Sequence, residues 1–241
     1  MARIILVGGG SSSGKSFVTA NVIKNIGYNN VTRITLDDYY KDQSNLSFQE
    51  RVKTNYDHPK AFDWKLLREQ VLALKNNQEI QKPVYDFVEH NRSPKIEIVK
   101  PNPIVIVEGI MALVDKKLRD IGDLRVFISA SSERRFLRRM IRDSKERGRS
   151  FENIVDQYFT TVQPMHNEII EPSSNYADLI INNDGVKNLA IDVLTCVLKE
   201  ELAKEKSGLK DDYSDSDEFR EEVLQDVFAD TKHKKSLDWK Q

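Results

Sequence analysis

The stretch Gly9-Gly10-Ser11-Ser12-Ser13-Gly14-Lys15-Ser16 constrains this chain more than any other. It carries the spacing G-x-x-x-x-G-K-[ST], with Gly9, Gly14, Lys15 and Ser16 at the fixed positions. Ahead of it, Ile4-Ile5-Leu6-Val7 reads as a buried parallel strand. Behind it, Phe17, Val18, Ala20, Val22 and Ile23 fall on one helical face that ends near Gly27. In the order strand, glycine-rich turn, helix, backbone N–H groups wrap an anion at the positive end of the helix dipole. Lys15 then reaches the outer phosphates of a nucleoside triphosphate, and the Ser16 hydroxyl is a ligand for Mg²⁺. The chain is expected to bind a nucleoside triphosphate.

The remaining apolar runs extend the same plan. Val31–Leu36 reads as a second strand, and Asp37 and Asp38 follow where ligands bind in an open parallel sheet, beyond the carboxyl ends of strands. A helix is expected around Ser47–Lys53, a loop over Asn55–Pro59 and a helix over Asp63–Lys75. Ile80–Glu89 and Ile96–Val99 read as a hairpin that turns at Asn91-Arg92-Ser93-Pro94 and interrupts the alternation. Ile104–Val107 runs into Glu108, a Walker B-like position, and Leu124–Ile128 and Ala177–Ile181 complete the parallel strands. Asn153–Ile170 and Val186–Leu202 read as helices. The fold class is therefore α/β: a P-loop NTPase-like, mostly parallel sheet flanked by helices, with an inserted β-hairpin and an arginine-rich lid.

Three groups of side chains carry chemistry. Ser16, Asp37 and Glu108 offer a hydroxyl and two carboxylates for a Mg²⁺ ion, directly or through its waters, and Asp37 is also placed to accept a proton. Asp37 as a helix cap and Glu108 as a solvated loop acid is the plain alternative. Arg134, Arg135, Arg138, Arg139, Arg142, Arg147 and Arg149 crowd one helix and its end. They could grip nucleic acid, close over a nucleotide, or form a solvated face balanced by Glu133, Asp143 and Glu146; their place after a strand in a phosphate-loop protein favours the lid. Asp57, Tyr85, Phe87 and His90 suggest a pocket for a small acceptor, although hairpin aromatics are also common packing residues.

In a chain of 241 residues with 31% charged and 39% hydrophobic side chains, this plan fits one domain over residues 1–206. A net charge of −1 gives no pull toward nucleic acid or a membrane. No apolar run approaches bilayer length, and strand one begins too early to leave room for a signal peptide. Cys196 is the only cysteine, and the four histidines lack metal-ligand spacing. A cytoplasmic enzyme is expected. Residues 207–241 form an acidic tail in which Phe219, Val223, Leu224, Val227 and Phe228 share a helical face, suited to a partner or to the core.

Several segments together resemble the uridine kinase (uridine–cytidine kinase) family, in its bacterial form. They are the phosphate loop, Asp37-Asp38-Tyr39-Tyr40-Lys41, Asn55–Pro59, Pro83–His90, Glu108-Gly109-Ile110 and Arg142–Arg149, in order from about residue 3 to 203. The resemblance implies transfer of the γ-phosphoryl of ATP or GTP to the 5′-hydroxyl of uridine or cytidine. It implies Asp37 as general base and Mg²⁺ partner, with Ser16 and Glu108 completing the metal site. Asp57, aided by Arg139, would hold the ribose hydroxyls. Tyr85 and His90 would read the pyrimidine edge between walls formed by Tyr40, Tyr56 and Phe87. Arg142 and Arg147 would meet the phosphates beside Lys15, and Arg149 and Gln157 would line the nucleoside site. A homo-oligomer, a tetramer in the family, is a further expectation. Ser12 and Ser16 replace the alanine and threonine more usual in relatives, and the tail has no counterpart there. Rival readings are a kinase of the same fold acting on a sugar phosphate or pantothenate, and a nucleotide-dependent binding protein.

Overall fold

Ile4–Val7 and Ile104–Val107 are apolar at every position, so both faces of each strand need cover. The computed structural model describes residues 1–185 and 189–207 and provides that cover with helices on both sides of a parallel sheet. In chain order the strands are β1 (Arg3–Gly8), β2 (Val31–Thr35), β3 (Ile80–Asp86), β4 (Asn91–Val99), β5 (Ile104–Glu108), β6 (Leu124–Ser129) and β7 (Leu179–Asn182). The sheet runs β2-β5-β1-β6-β7, all parallel, while β3 and β4 pair separately as an antiparallel hairpin.

The helices are α1 (Lys15–Ile26), α2 (Phe48–Val52), α3 (Trp64–Lys75), α4 (Lys116–Ile121), α5 (Ser132–Glu146), α6 (Phe151–Gln157), α7 (Gln163–Met165) and α8 (Leu189–Ser207). Ile4 and Leu6 of β1, with Val105 and Val107 of β5, pack toward Leu67, Val71 and Leu74 of α3 and Leu118 of α4. Ile5, Val7, Ile104 and Ile106 pack the other way, toward Val18 and Val22 of α1 and Leu194 and Leu198 of α8. Each of these leucines is fully buried and stabilises the fold by roughly 1.5–3 kcal/mol through its transfer from water. The compact unit spans Met1–Leu202. The acidic segment at 208–241 lies outside the described residues.

Three local expectations change. In α1 the buried stripe is Lys15, Val18, Thr19, Val22 and Ile23, whereas Phe17 and Ala20 are exposed. Starting the helix at Lys15 fixes this phase and turns Phe17 to the mouth of a cavity. The hairpin turns at Phe87–His90, and Asn91-Arg92-Ser93-Pro94 belong to β4. Asp86 decides this: its Oδ1 accepts from the N–H groups of Val88 (2.9 Å) and Glu89 (3.1 Å), so an Asx-type turn starts before the Asn–Pro stretch is reached. The helix expected over 153–170 begins at Phe151, capped by the Ser150 side chain, and winds as π-helix over Tyr158–Val162 and His166–Ile170. Of the helix expected from Val186, residues 186–188 lie outside the described residues.

Candidate active site

The phosphate loop joins β1 to α1 and takes a backbone that only glycine accepts easily at two positions. Gly9 has φ 139° and Gly14 φ 97°. A Cβ at Gly9 would strike the Ile128 carbonyl oxygen, and one at Gly14 would strike Asn183 Nδ2. Lys15 folds back into the loop and donates from Nζ to the Gly9 (2.9 Å) and Gly10 (2.8 Å) carbonyls. Burial pulls its pKa down to about 8, against the opposing charges of Glu108 and Asp37. Ser12 Oγ and Ser13 Oγ are buried without a hydrogen-bond partner among the described residues. Such orphaned groups are costly unless something fills the loop.

Two acids stand at the ends of neighbouring strands but in different states. Glu108 ends β5, directly opposite Thr35 of β2, and is 1% exposed. Its Oε2 accepts from Thr19 Oγ1 (2.8 Å), and its Oε1 accepts from Arg33 Nε (2.7 Å) and Nη2. Asp37 lies on the 3₁₀ turn Leu36–Tyr39 that follows β2, and among the described residues its carboxylate has no hydrogen-bond or ion-pair partner. Burial raises its pKa, while Lys15 and Arg147 act against the rise. The donor set of Ser16 and Asp37 suits a hard cation such as Mg²⁺. Glu108 adds charge and orders Thr19, with both its oxygens engaged.

On the far side of Asp37 the hairpin and the loop before α3 build an aromatic cage. The Tyr40 ring lies 5.1 Å from those of Tyr56 and Tyr85, edge-on in both cases, and Tyr85 lies 5.2 Å from Phe87. His90 takes φ 50° at the turn and sits 5.8 Å from Tyr56. Burial, then Arg149 and Arg51, lowers the His90 pKa and so disfavours the charged ring. The Asp57 carboxylate faces Arg139, Arg142, Arg147 and Arg149, which hold down a pKa that burial raises. Arg139 donates to Ser11 Oγ (3.0 Å) and to Gln157 Oε1 (2.7 Å), and Arg149 donates to the same Gln157 oxygen (2.6 Å). The Arg147 guanidinium lies 5.5 Å from the Phe87 ring centroid, across the cavity from its own helix.

The cavity these groups line is about 730 Å³, within the usual range for a small-molecule site. Ser11, Ser12, Gly14, Lys15, Ser16, Asp37, Tyr40, Tyr56, Asp57, Tyr85, Phe87, His90, Glu108, Arg139, Arg142, Arg147, Arg149 and Gln157 all line it. Gly9, Gly10 and Ser13 are the sequence-predicted residues that do not.

Asp143 entered the sequence reading only as a counter-charge in the solvated-face alternative, and the structure places it in the interior. Its side chain is fully buried, and four guanidinium groups converge on it. Arg142 donates to Oδ1 at 2.8 Å from Nε and lies at 2.7 Å from Nη2. Arg139 (3.5 Å), Arg149 (3.6 Å) and Arg147 (3.7 Å) stand slightly farther off. The signal was present in helical spacing: Asp143 is four residues from both Arg139 and Arg147. Asp143 and Asp57 set two carboxylates against these four cations, which leaves excess positive charge facing the cavity. Thr19 and Arg33, which hold Glu108, had no sequence signal at all.

Comparison with known proteins was consistent in direction. A model of the "Phosphoribulokinase / Uridine kinase family" matches residues 4–190. The chain is 45% identical over 202 residues to a uridine kinase of Staphylococcus haemolyticus, covering 84% of this chain and 98% of that one. It is 47% identical over 192 residues to a uridine kinase of Staphylococcus carnosus, covering 80% and 92%. Among solved structures, D-glycerate 3-kinase from Cryptococcus neoformans superposes with TM-score 0.56 at 16% identity, covering 75% of this chain and 86% of that one. Phosphoribulokinase from Rhodobacter spheroides gives TM-score 0.56 at 13% identity, covering 75% and 70%. At these identities the two structures speak for the shared fold. No helix among the described residues is long and apolar enough to cross a membrane.

Proposed function

Because the chain belongs to the phosphoribulokinase/uridine kinase family, we propose that it is a uridine/cytidine kinase, transferring a γ-phosphoryl group from a nucleoside triphosphate to the nucleoside 5′-hydroxyl. One observation carries the reading: Asp37, a carboxylate without hydrogen bond or ion pair among the described residues, lines one cavity with the phosphate loop and an aromatic cage. The acceptor end is walled by Tyr40, Tyr56, Tyr85 and Phe87, whose flat faces suit a planar base better than a sugar phosphate.

In this reading the pyrimidine ring lies among those aromatics, Tyr85 and His90 meet its edge, and Asp57 accepts from the ribose hydroxyls. Arg139, Arg149 and Gln157 close the same end of the cavity. Asp37 takes the proton of the 5′-hydroxyl as its oxygen bonds to the γ-phosphorus and the bond to the β-phosphate oxygen breaks. Lys15, Arg142 and Arg147 neutralise charge on the transferring group. Ser16 and Asp37, in the field of Glu108, would hold a Mg²⁺ ion, which would supply neutralisation of the triphosphate's charge. ATP or GTP as donor, closure of α5 as a lid, a cytoplasmic setting and a homo-oligomeric enzyme complete the reading, and these rest on the family.

The test is turnover of purified protein with ATP·Mg²⁺ against uridine, cytidine, ribulose 5-phosphate and pantothenate. Uridine or cytidine should be phosphorylated and the others not. Asp37→Asn should cut kcat by about 10²–10⁴ while leaving nucleotide binding within a few fold. Turnover of that variant near the wild-type rate would remove Asp37 from the mechanism.

A further inference from the structure

Asp37 and Asp38 are neighbours on one short turn, yet only Asp37 lines the cavity. The Asp38 carboxylate points into the hairpin. Its Oδ2 accepts from Lys82 Nζ at 2.6 Å, and its Oδ1 accepts from the Tyr85 backbone N–H at 3.4 Å. Lys82 is itself buried, with a side chain only 9% exposed, and its other partner is Glu97 at 3.1 Å, the residue paired with it across the hairpin. Tyr85 is reached through an irregularity: the β3–β4 register shifts between Pro83 and Tyr85. A bulge re-aims the side chain that follows it, and here that side chain is a wall of the cavity. Asp38 is the group that receives the N–H at this shift.

A second grip comes from β4. Arg92 donates from Nε to the Tyr40 carbonyl at 2.7 Å and from Nη2 to the Tyr39 carbonyl at 3.5 Å. The turn that carries Asp37 and the hairpin that carries the aromatic walls are thus clamped from both sides. Both clamps end on the backbone of a cavity residue, Arg92 at Tyr40 and Asp38 at Tyr85, and the one at Asp38 sits at the register shift.

We propose that Asp38 is a positioning residue for the acceptor pocket: through Lys82 and the Tyr85 N–H it sets where the Tyr85 ring stands relative to Asp37. This deepens the kinase reading and rests on it. Asp38 touches no substrate. Its removal leaves Lys82 paired only with Glu97 and frees the backbone at the register shift, so the ring drifts from its place at the acceptor edge. Displacements of this size in a positioning group reach the acceptor and spare the donor, because the phosphate loop shares none of these contacts.

The experiment compares wild type, Asp38→Ala, Asp38→Asn, Lys82→Met and the Asp38→Ala/Lys82→Met double variant, each measured for KM with uridine and KM with ATP. Asp38→Ala should raise the uridine KM roughly tenfold with the ATP KM within about twofold, and Lys82→Met should raise it less. The double variant should be no worse than Asp38→Ala alone, since both act through one contact chain. Asp38→Asn, which keeps an acceptor for the Tyr85 N–H, should fall between Asp38→Ala and wild type, and it carries the comparison should Asp38→Ala fail to fold. A merely stabilising role would lower Tm in all variants without separating the two KM values, and that result would overturn the proposal. Unchanged uridine KM in a folded Asp38 variant would do the same while the kinase reading stood. Absence of uridine and cytidine turnover in wild type would instead remove the kinase reading and this inference with it.

Discussion

Lys15 ties the donor site to pH. Burial lowers the pKa of its ammonium, which donates to two loop carbonyls, to about 8, against 10.5 for a free lysine. In the unfolded chain it holds its proton up to a higher pH, so the ligand-free fold gains stability as pH rises from about 8 toward 10.5. A bound triphosphate favours the charged form and raises the pKa again. Nucleotide binding should therefore take up a proton above pH 8 and none at pH 6.5. At pH 8.5 a group with a pKa near 8 is about one-quarter protonated, so uptake should approach roughly 0.75 proton. Calorimetry in two buffers of different ionisation enthalpy measures this directly, and Lys15→Met should abolish it. Equal apparent enthalpies in both buffers at pH 8.5 would show that Lys15 is already charged in the free protein.

At the scale of elements, α5 shows how a helix can be read from sequence while some of its contacts cannot. Its arginines were legible in the sequence as a cationic stripe. Their convergence on a fully buried Asp143 also brings in Arg149, from beyond the end of α5, and no helical spacing foretold that contact. The parallel strands were legible for a simpler reason, because Ile4–Val7 and Ile104–Val107 can only be buried on both faces. The hairpin was legible as a hairpin but not in its turn, since the capture of two N–H groups by Asp86 outcompeted a plausible Asn–Pro turn. The arrest of Glu108 by Arg33 was illegible, because it depends on which strands lie side by side. A test of the α5 cluster follows. Asp143→Asn keeps the volume but leaves four cations facing each other, and should cost about 3 kcal/mol in denaturant unfolding. Millimolar sulfate should restore part of that loss in the variant and change wild type less, because a bound anion substitutes for the missing carboxylate. Equal effects of sulfate on both proteins would mean that Asp143 does not neutralise the cluster.

At the scale of the molecule, the functional groups and the core that supports them fall within Met1–Leu202. Every residue lining the cavity lies between Ser11 and Gln157. The sheet is covered on one side by α3 and α4 and on the other by α1 and α8, with α8 contributing Leu194 and Leu198 at zero exposure. We therefore expect the acidic segment to be dispensable for chemistry and α8 to be indispensable for folding. Truncation after Lys206 should leave kcat within about twofold and shift Tm by no more than a few degrees. Leu194→Ala, made in the full chain, should cost about 2–5 kcal/mol, because it opens a cavity against the sheet face formed by Ile5 and Val7. The pair separates two ways a C-terminal change can harm an enzyme. A truncated protein that melts like wild type yet fails to turn over uridine would assign the acidic segment a part in catalysis. A truncated protein that melts as early as Leu194→Ala would make that segment part of the folding unit instead.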